Sequence, residues 1–480
     1  MSCPSTGVRT ATYKEGAVHP CAAQLHTLAI ASGQFYLPPS PRPAMSQVRI
    51  VDASYVDVPE TAVRPPGPIK LTAMEALWIV IPVLQHVLLY EGDDDTPPFD
   101  AIVQSLRSSL AATLRSFAPL AGKLVHLEET GDVGISCSAS DSVRFVVAEC
   151  DADIGRLAGD EEHDLRVLEG LVPEVDMSLL PTPVLAVQAT RFQGGVAVGV
   201  TVHHGVADGR ALWTFVEAWA AACRGETPAT TPCFDRSLVK LPGGEELARS
   251  VVRKVAPNLP SVRGCSLSCL IKHHPLRFTK SPFNGETQHV KRQKVKVKKQ
   301  RIVNLGESHG APLPHSPSTF TIIVVLAWTC SARCKPSLED DAQLFFFADS
   351  RGRLVPPVDK GYIGACLTGC VSKLPVPELR GDRALAAAAS TVQDGIHKVK
   401  EDPVAGWNFY MLMADASMGR MMNISGSSGK PMRTEPITMN HDGQVALMRS
   451  RDGRGVQVSL SLLRPAHMDA FKSNFHELLK

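Results

Sequence analysis

The segment Gly194–Gly209, GGVAVGVTVHHGVADG, constrains the fold more than any other stretch of the chain. Period-two alternation puts Val196, Val198, Val200 and Val202 on one face of a strand, and Ala197, Gly199 and Thr201 on the other. Neither face carries a charge, so the strand is expected to be buried on both sides. It ends at His204, and Asp208 and Gly209 then stand where a helix would be capped and begun.

The surroundings repeat this mixed pattern. Ile102, Leu106, Leu110, Leu114 and Phe117 recur at helical spacing, and FAPLAGKL (Phe117–Leu124) breaks that helix at Pro119. Strands are predicted over 143–148, 184–192 and 195–203, and a helix over 209–223. Beyond a Pro/Thr-rich break at 225–234, further helices are predicted at 245–255, 297–308 and 319–330. LFFFADS reads as a strand, and a terminal helix starts at Pro465. A chain of 480 residues exceeds the size at which one hydrophobic core stops growing. The division expected is therefore an extension over 1–45, an α/β domain over 46–225, a crossover over 226–290 and a second α/β domain over 291–480.

Composition excludes several classes of function. Hydrophobic residues make up 44% and charged residues 20%, an ordinary globular balance. With 50 basic against 48 acidic residues, no global field draws the chain to nucleic acid or an anionic membrane. The apolar runs Leu77–Tyr90 and Thr319–Trp328 are too short to cross a bilayer. Cys265/Cys269, Cys330/Cys334 and Cys366/Cys370 lack the tighter repeated spacing of zinc knuckles, so no metal is expected and reduced thiols are. The first 44 residues are rich in Ser, Thr, Ala and Pro; a disordered extension is expected there, with a plastid-type transit peptide as the alternative. The expected compartment is otherwise the cytosol.

The chemistry points to His204. A histidine at the mouth of a central strand is held rigidly, and an ordinary pKa of about 6.5 lets it accept a proton at neutral pH. Asp208 would cap the helix or pair with a distant arginine. By alternation His203 faces the other way, into packing. The basic run His289–Arg301 carries seven Lys/Arg without interleaved aromatics, which suits a solvated face.

HHxxxDG at a strand-to-helix turn resembles the coenzyme A-dependent acyltransferases of the chloramphenicol acetyltransferase-like superfamily. Within it, the chain resembles the plant BAHD acyltransferases over nearly its whole length after Met45. KLTAMEALW (Lys70–Trp78, with Glu75 where the family usually has Asp), FAPLAGKL, ADSRGRL (Ala348–Leu354), YIGAC (Tyr362–Cys366) and the closing MNHDGQVALM and LRPAHMDAFKSNF carry the likeness. It implies two similar domains, each a mixed sheet flanked by helices, with the active site in a channel between them. His204 would be the general base for transfer from acyl-CoA, a co-substrate rather than a resident cofactor. Asp208 would pair with Arg351, or alternatively Arg353, and with Gly209 would hold the turn. Lys298, Lys299 and Arg301 would be the candidates for contact with CoA phosphates. A monomer is expected.

KLPGGEEL (Lys240–Leu247), HHGVADGRALW and YIGAC are similar to the branch that acylates anthocyanin and other phenolic glucosides. This leaves a malonyl or hydroxycinnamoyl donor and a hydroxyl or amine acceptor. Malonyl-selective relatives often carry an Arg eight residues after the catalytic His, where this chain has Leu212; Arg210 is near, on another helical face. The family's DFGWG signature is absent, and NISGSSGKP (Asn423–Pro431) stands in its region. A deletion of about a dozen residues would remove one strand, and the alternative function is then a non-enzymatic binding protein. Condensation domains and dihydrolipoyl acyltransferases share the HHxxxDG chemistry, but their carrier and lipoyl modules are absent here.

Overall fold

The long apolar alternation becomes the strand Gly195–Val202, and it is covered on both sides as its sequence demands. Val198, Val200 and Val202 point into one core with the helices Phe99–Leu114 and Gly209–Cys223. Ala197 points into a second, with Ile154, Leu157, Leu168 and Leu171. This computed structural model describes residues 48–81, 83–159, 165–262, 291–298, 317–335, 341–402, 421–426, 434–437, 444–449, 455–462 and 464–479.

The strand belongs to a six-stranded mixed sheet ordered Val48–Asp57, Ser142–Cys150, Leu185–Phe192, Gly195–Val202, Leu84–Glu91, Thr434–Pro436. Only the second and third of these run parallel. A small antiparallel sheet of four strands carries Lys123–Leu127 and Asp132–Ser136. The second large sheet, also six-stranded and mixed, runs Lys291–Lys298, Gly455–Leu462, Gln444–Arg449, Met421–Gly426, Asp341–Asp349, Leu367–Pro375. The helices Thr319–Cys334, Ala384–Glu401 and Pro465–Leu478 pack against it around Trp328, Phe471 and Phe475. The architecture is thus two mixed sheets, each flanked by helices, and residues 47–480 pack as one unit. The halves are interlaced: Thr434–Pro436 adds to the first sheet beside Leu84–Glu91, although it follows most of the second sheet in sequence.

One expectation is corrected. Lys291–Lys298 is a strand, where a helix beginning at Val297 was predicted. The KVKVK alternation has the two-residue period of a strand, and Val295 and Val297 register opposite Val458 and Val456. Residues 299–308 lie outside the described residues. The strand loss expected with the missing DFGWG signature falls beyond Gly426, and the segment upstream of it keeps its place in the sheet. Met421–Gly426 runs parallel to both Asp341–Asp349 and Gln444–Arg449, so the backbone groups between those strands are paired. Residues 427–433 lie outside the described residues.

Gly199 shows how closely the central strand is packed. A Cβ there would stand 2.0 Å from the carbonyl oxygen of Leu171, and a backbone oxygen cannot swing away. Gly199→Ala should therefore destabilise the fold by about 1–3 kcal/mol, read as a lower denaturation midpoint at an unchanged slope.

Candidate active site

The central strand delivers His203 and His204 to its end, and the turn that follows is pinned from several directions. The backbone N–H of His203 donates to the carbonyl of Val184, at 2.8 Å. Its ring accepts from the N–H of Gly205 at Nδ1, 3.1 Å away, and burial holds its pKa down at about 3. His203 is therefore a neutral packing group. Asp208 caps the helix Gly209–Cys223, accepting from the N–H of Ala211 at 2.9 Å. Gly209 opens that helix in free space, where an added Cβ would meet nothing, so sterics do not require glycine there.

Asp208 is wholly buried and is met by Arg351, itself 1% exposed. Nη1 donates to Oδ2 at 2.8 Å and Nη2 to Oδ1 at 3.0 Å, a bidentate pair between residues on the two large sheets' halves. The N–H of Cys366 gives Oδ2 a further bond at 3.0 Å. Arg351 in turn donates to the carbonyls of Gly364 (2.8 Å) and Tyr362 (3.3 Å) and to Asp349 (3.0 Å). Burial would lower the Arg351 pKa, but Asp208 and Asp349 outweigh it and hold it above the usual value. Burial would raise Asp349; Arg351 and Arg210, the latter 2.6 Å away, hold it below the usual range. Arg353 instead donates to the carbonyl of Asp349.

Behind this pair stands a second one. Glu75, buried in the KLTAMEALW helix, lies 2.8 Å from Arg236, which donates to the Ile363 carbonyl at 2.6 Å. The Arg236 and Arg351 guanidinium groups both lie over the Tyr362 ring, 5.3 and 5.6 Å from its centroid. A Cβ on Gly364 would lie 2.5 Å from Glu75 Oε1, so the YIGAC glycine is what lets these groups close together.

His204 is 4% exposed, and Trp78 stacks on it with centroids 3.9 Å apart and planes 12° from parallel. Phe347, from the second sheet, packs on Trp78 at 5.0 Å. Burial lowers the His204 pKa to about 4, opposed by its own backbone carbonyl and by the Asp208 carboxylate. The imidazole is thus neutral at pH 7 and can accept a proton. Nδ1 is buried and makes no hydrogen bond to another residue.

Of the remaining predicted residues, Lys298 ends its strand in register with Gly455, away from this cluster in sequence, and Lys299 and Arg301 lie outside the described residues. Among the described residues no group of His, Cys, Asp and Glu is placed to hold a metal. Trp78, Arg236 and Asp349 are parts of the site that sequence reasoning did not single out. The signal for Trp78 was its place at the end of KLTAMEALW; Arg236, inside the crossover, gave none.

Removing the Asp208 carboxylate strands a buried guanidinium. Asp208→Ala should cost about 3–5 kcal/mol, measured by denaturant unfolding, with transfer activity lost in the fraction that still folds.

The model of the Transferase family matches residues 65–478. The Arabidopsis thaliana malonyl-CoA:anthocyanidin 5-O-glucoside-6''-O-malonyltransferase is 29% identical over 429 residues, covering 82% of this chain and 91% of that protein. Phenolic glucoside malonyltransferase 1 of the same plant is 26% identical over 475 residues, covering 91% and 98%. Among solved structures, vinorine synthase superposes with a TM-score of 0.66 at 20% identity, covering 90% of this chain and 98% of its own. F. sporotrichioides TRI101, complexed with coenzyme A and T-2, gives 0.61 at 16% identity, covering 85% and 97%. These two fix the fold. The family match spans most of the chain and both halves of the site, and the chain belongs to the Transferase family, that of the BAHD acyltransferases.

Proposed function

We propose that this protein transfers an acyl group from acyl-CoA to a hydroxyl or amine of a plant phenolic or anthocyanin glucoside, with His204 as general base. One observation carries the reading: a neutral imidazole at a strand end, on a turn locked by the buried Asp208–Arg351 pair. The imidazole takes the acceptor's proton as the acceptor oxygen or nitrogen attacks the thioester carbon. The carbonyl electrons move onto oxygen; when they return, the C–S bond breaks. The thiolate leaves with the proton that His204 held, giving ester or amide and free CoA. No acyl-enzyme is needed, and acyl-CoA is a co-substrate.

Asp208 is a positioning residue in this scheme, since its carboxylate is spent on Arg351, Cys366 and the helix cap. For the donor, malonyl and hydroxycinnamoyl groups both fit the relatives, which include the malonyltransferases and an Arabidopsis thaliana coumaroyl-CoA:anthocyanidin 3-O-glucoside-6''-O-coumaroyltransferase 1. Leu212 is buried in the first core, so a malonyl carboxylate would need another cation. Arg210, the nearest in sequence, is paired with Asp349. We read the chain as a monomer working in the cytosol; among the described residues no helix is long and apolar enough to cross a membrane. The relatives are named as acyltransferases, which gives the alternative of a binding protein without catalysis no support.

His204→Ala should lower turnover of a malonyl- or coumaroyl-CoA by roughly 10²–10⁴-fold with the melting transition preserved; wild-type rates would remove His204 from the mechanism. The pH dependence has two parts. The ascending limb of kcat/KM should lie below 6.5, towards the His204 value of about 4. Stability moves oppositely to what a paired histidine gives. Unfolded His203 and His204 bind protons at about 6.5 that the folded forms refuse until about 3 and 4, so stability falls as pH drops below 6.5. Thermal melts across pH 4–7 would reveal this slope, and it should flatten in His204→Gln.

A further inference from the structure

We infer that Trp78 is the second catalytic residue of this site: its indole face fixes the plane of His204, and its Nε1–H donates to the oxygen of the thioester carbonyl as charge develops there. The inference rests on the acyl-transfer reading above and assigns the group that meets the oxyanion.

Two observations coincide at this side chain. Trp78 lies face to face with His204 at 3.9 Å and 12°, the single ring in contact with that imidazole among the described residues. It is 2% exposed, and its Nε1–H has no acceptor. A buried donor left unpaired is costly, and such a group in a native fold calls for an explanation. Trp213 and Trp328 also bury an N–H without an acceptor, but they sit beside His86 and in the second core, away from His204.

The geometry suits the chemistry. An indole N–H lies in the plane of its ring, so here it points parallel to the imidazole, one ring thickness away. An acceptor hydroxyl bonded to a His204 ring nitrogen lies at the imidazole edge, and the carbonyl it attacks lies beside the same stack. The oxyanion then needs a donor within about 2.7–3.1 Å. The nearby cations are committed: Arg351 to Asp208, Asp349 and two carbonyls, and Arg210 to Asp349. Phe347 covers another part of the indole and Phe345 packs on Phe347 at 4.6 Å, so the donor works in an apolar wall where a hydrogen bond to developing charge is strong.

The test compares wild type, His204→Ala and Trp78→Phe in one assay with malonyl-CoA and coumaroyl-CoA donors and a phenolic glucoside acceptor. Phenylalanine keeps an aromatic face against His204 and removes the N–H. Trp78→Phe should lower kcat by roughly 10²–10³-fold, with KM for acyl-CoA little changed, as for an interaction made in the transition state alone. The ascending pH limb should stay in place, since His204 keeps its burial, its carbonyl and the Arg351-bound Asp208. A variant with β-(3-benzothienyl)alanine at position 78, which swaps the N–H for sulfur in a ring of the same size, should match it, and decides the matter if Trp78→Phe melts early. Turnover within about threefold of wild type in the benzothienyl variant overturns the inference while leaving His204 as the base. Absence of transfer in wild type overturns both this inference and the acyl-transfer reading.

Discussion

The centre of this structure depends on a charged pair that has left water. Asp208 and Arg351 are 143 residues apart in sequence and almost fully buried. An isolated carboxylate would take up a proton there, and an isolated guanidinium would keep its charge at a large cost. The pair stays charged because nearly every hydrogen-bonding position is used: the carboxylate receives the Ala211 and Cys366 N–H groups besides the guanidinium, and the guanidinium reaches Asp349 and the carbonyls of Tyr362 and Gly364. The pair is weak evidence for net stability, since such pairs seldom outperform apolar packing. Its value is register. The helix that follows His204 can be capped in only one position relative to the loop Tyr362–Cys366.

That loop is held from behind by the same means. Glu75 comes from the KLTAMEALW helix, Arg236 from the crossover and Tyr362 from the second half, and two guanidinium groups lie over the tyrosine ring. A shift of any of these three segments would move the carbonyls on which Arg351 rests. The position of His204 is therefore a property of the whole unit, and not of its own strand and turn. Glu75 has one methylene more than the aspartate usual in the family, and it is the residue against which the Gly364 backbone closes.

What the sequence made legible were the features governed by short-range periodicity. The two-sided strand, its histidine and the capping Asp208 lie within one continuous segment, so alternation and turn chemistry locate them together. The strand Lys291–Lys298 had the same two-residue signal in KVKVK, but the density of charge drew attention to solvation and hid the alternation. Arg351 as the partner of Asp208 came through family resemblance alone, and Arg236 and the Trp78 stack were invisible. Each is a contact between segments more than a hundred residues apart, and no local rule reports such a meeting.

Burial and basicity pull against each other at His204. Removing water lowers its proton affinity, while a free carboxylate four residues along would raise it. Asp208 is bound to Arg351, and burial outweighs what its carboxylate restores, so the ring is neutral at rest. A neutral ring is what a general base must be before the acceptor arrives, and a charged one would cost the interior the same desolvation that Arg351 had to be compensated for. In the proposed mechanism the proton that His204 takes up is poorly held, beside Trp78 and the Phe347 that packs on it. Such a proton passes readily to the departing thiolate. In that mechanism the buried pair fixes the geometry of the first proton transfer, while burial of the ring eases the second.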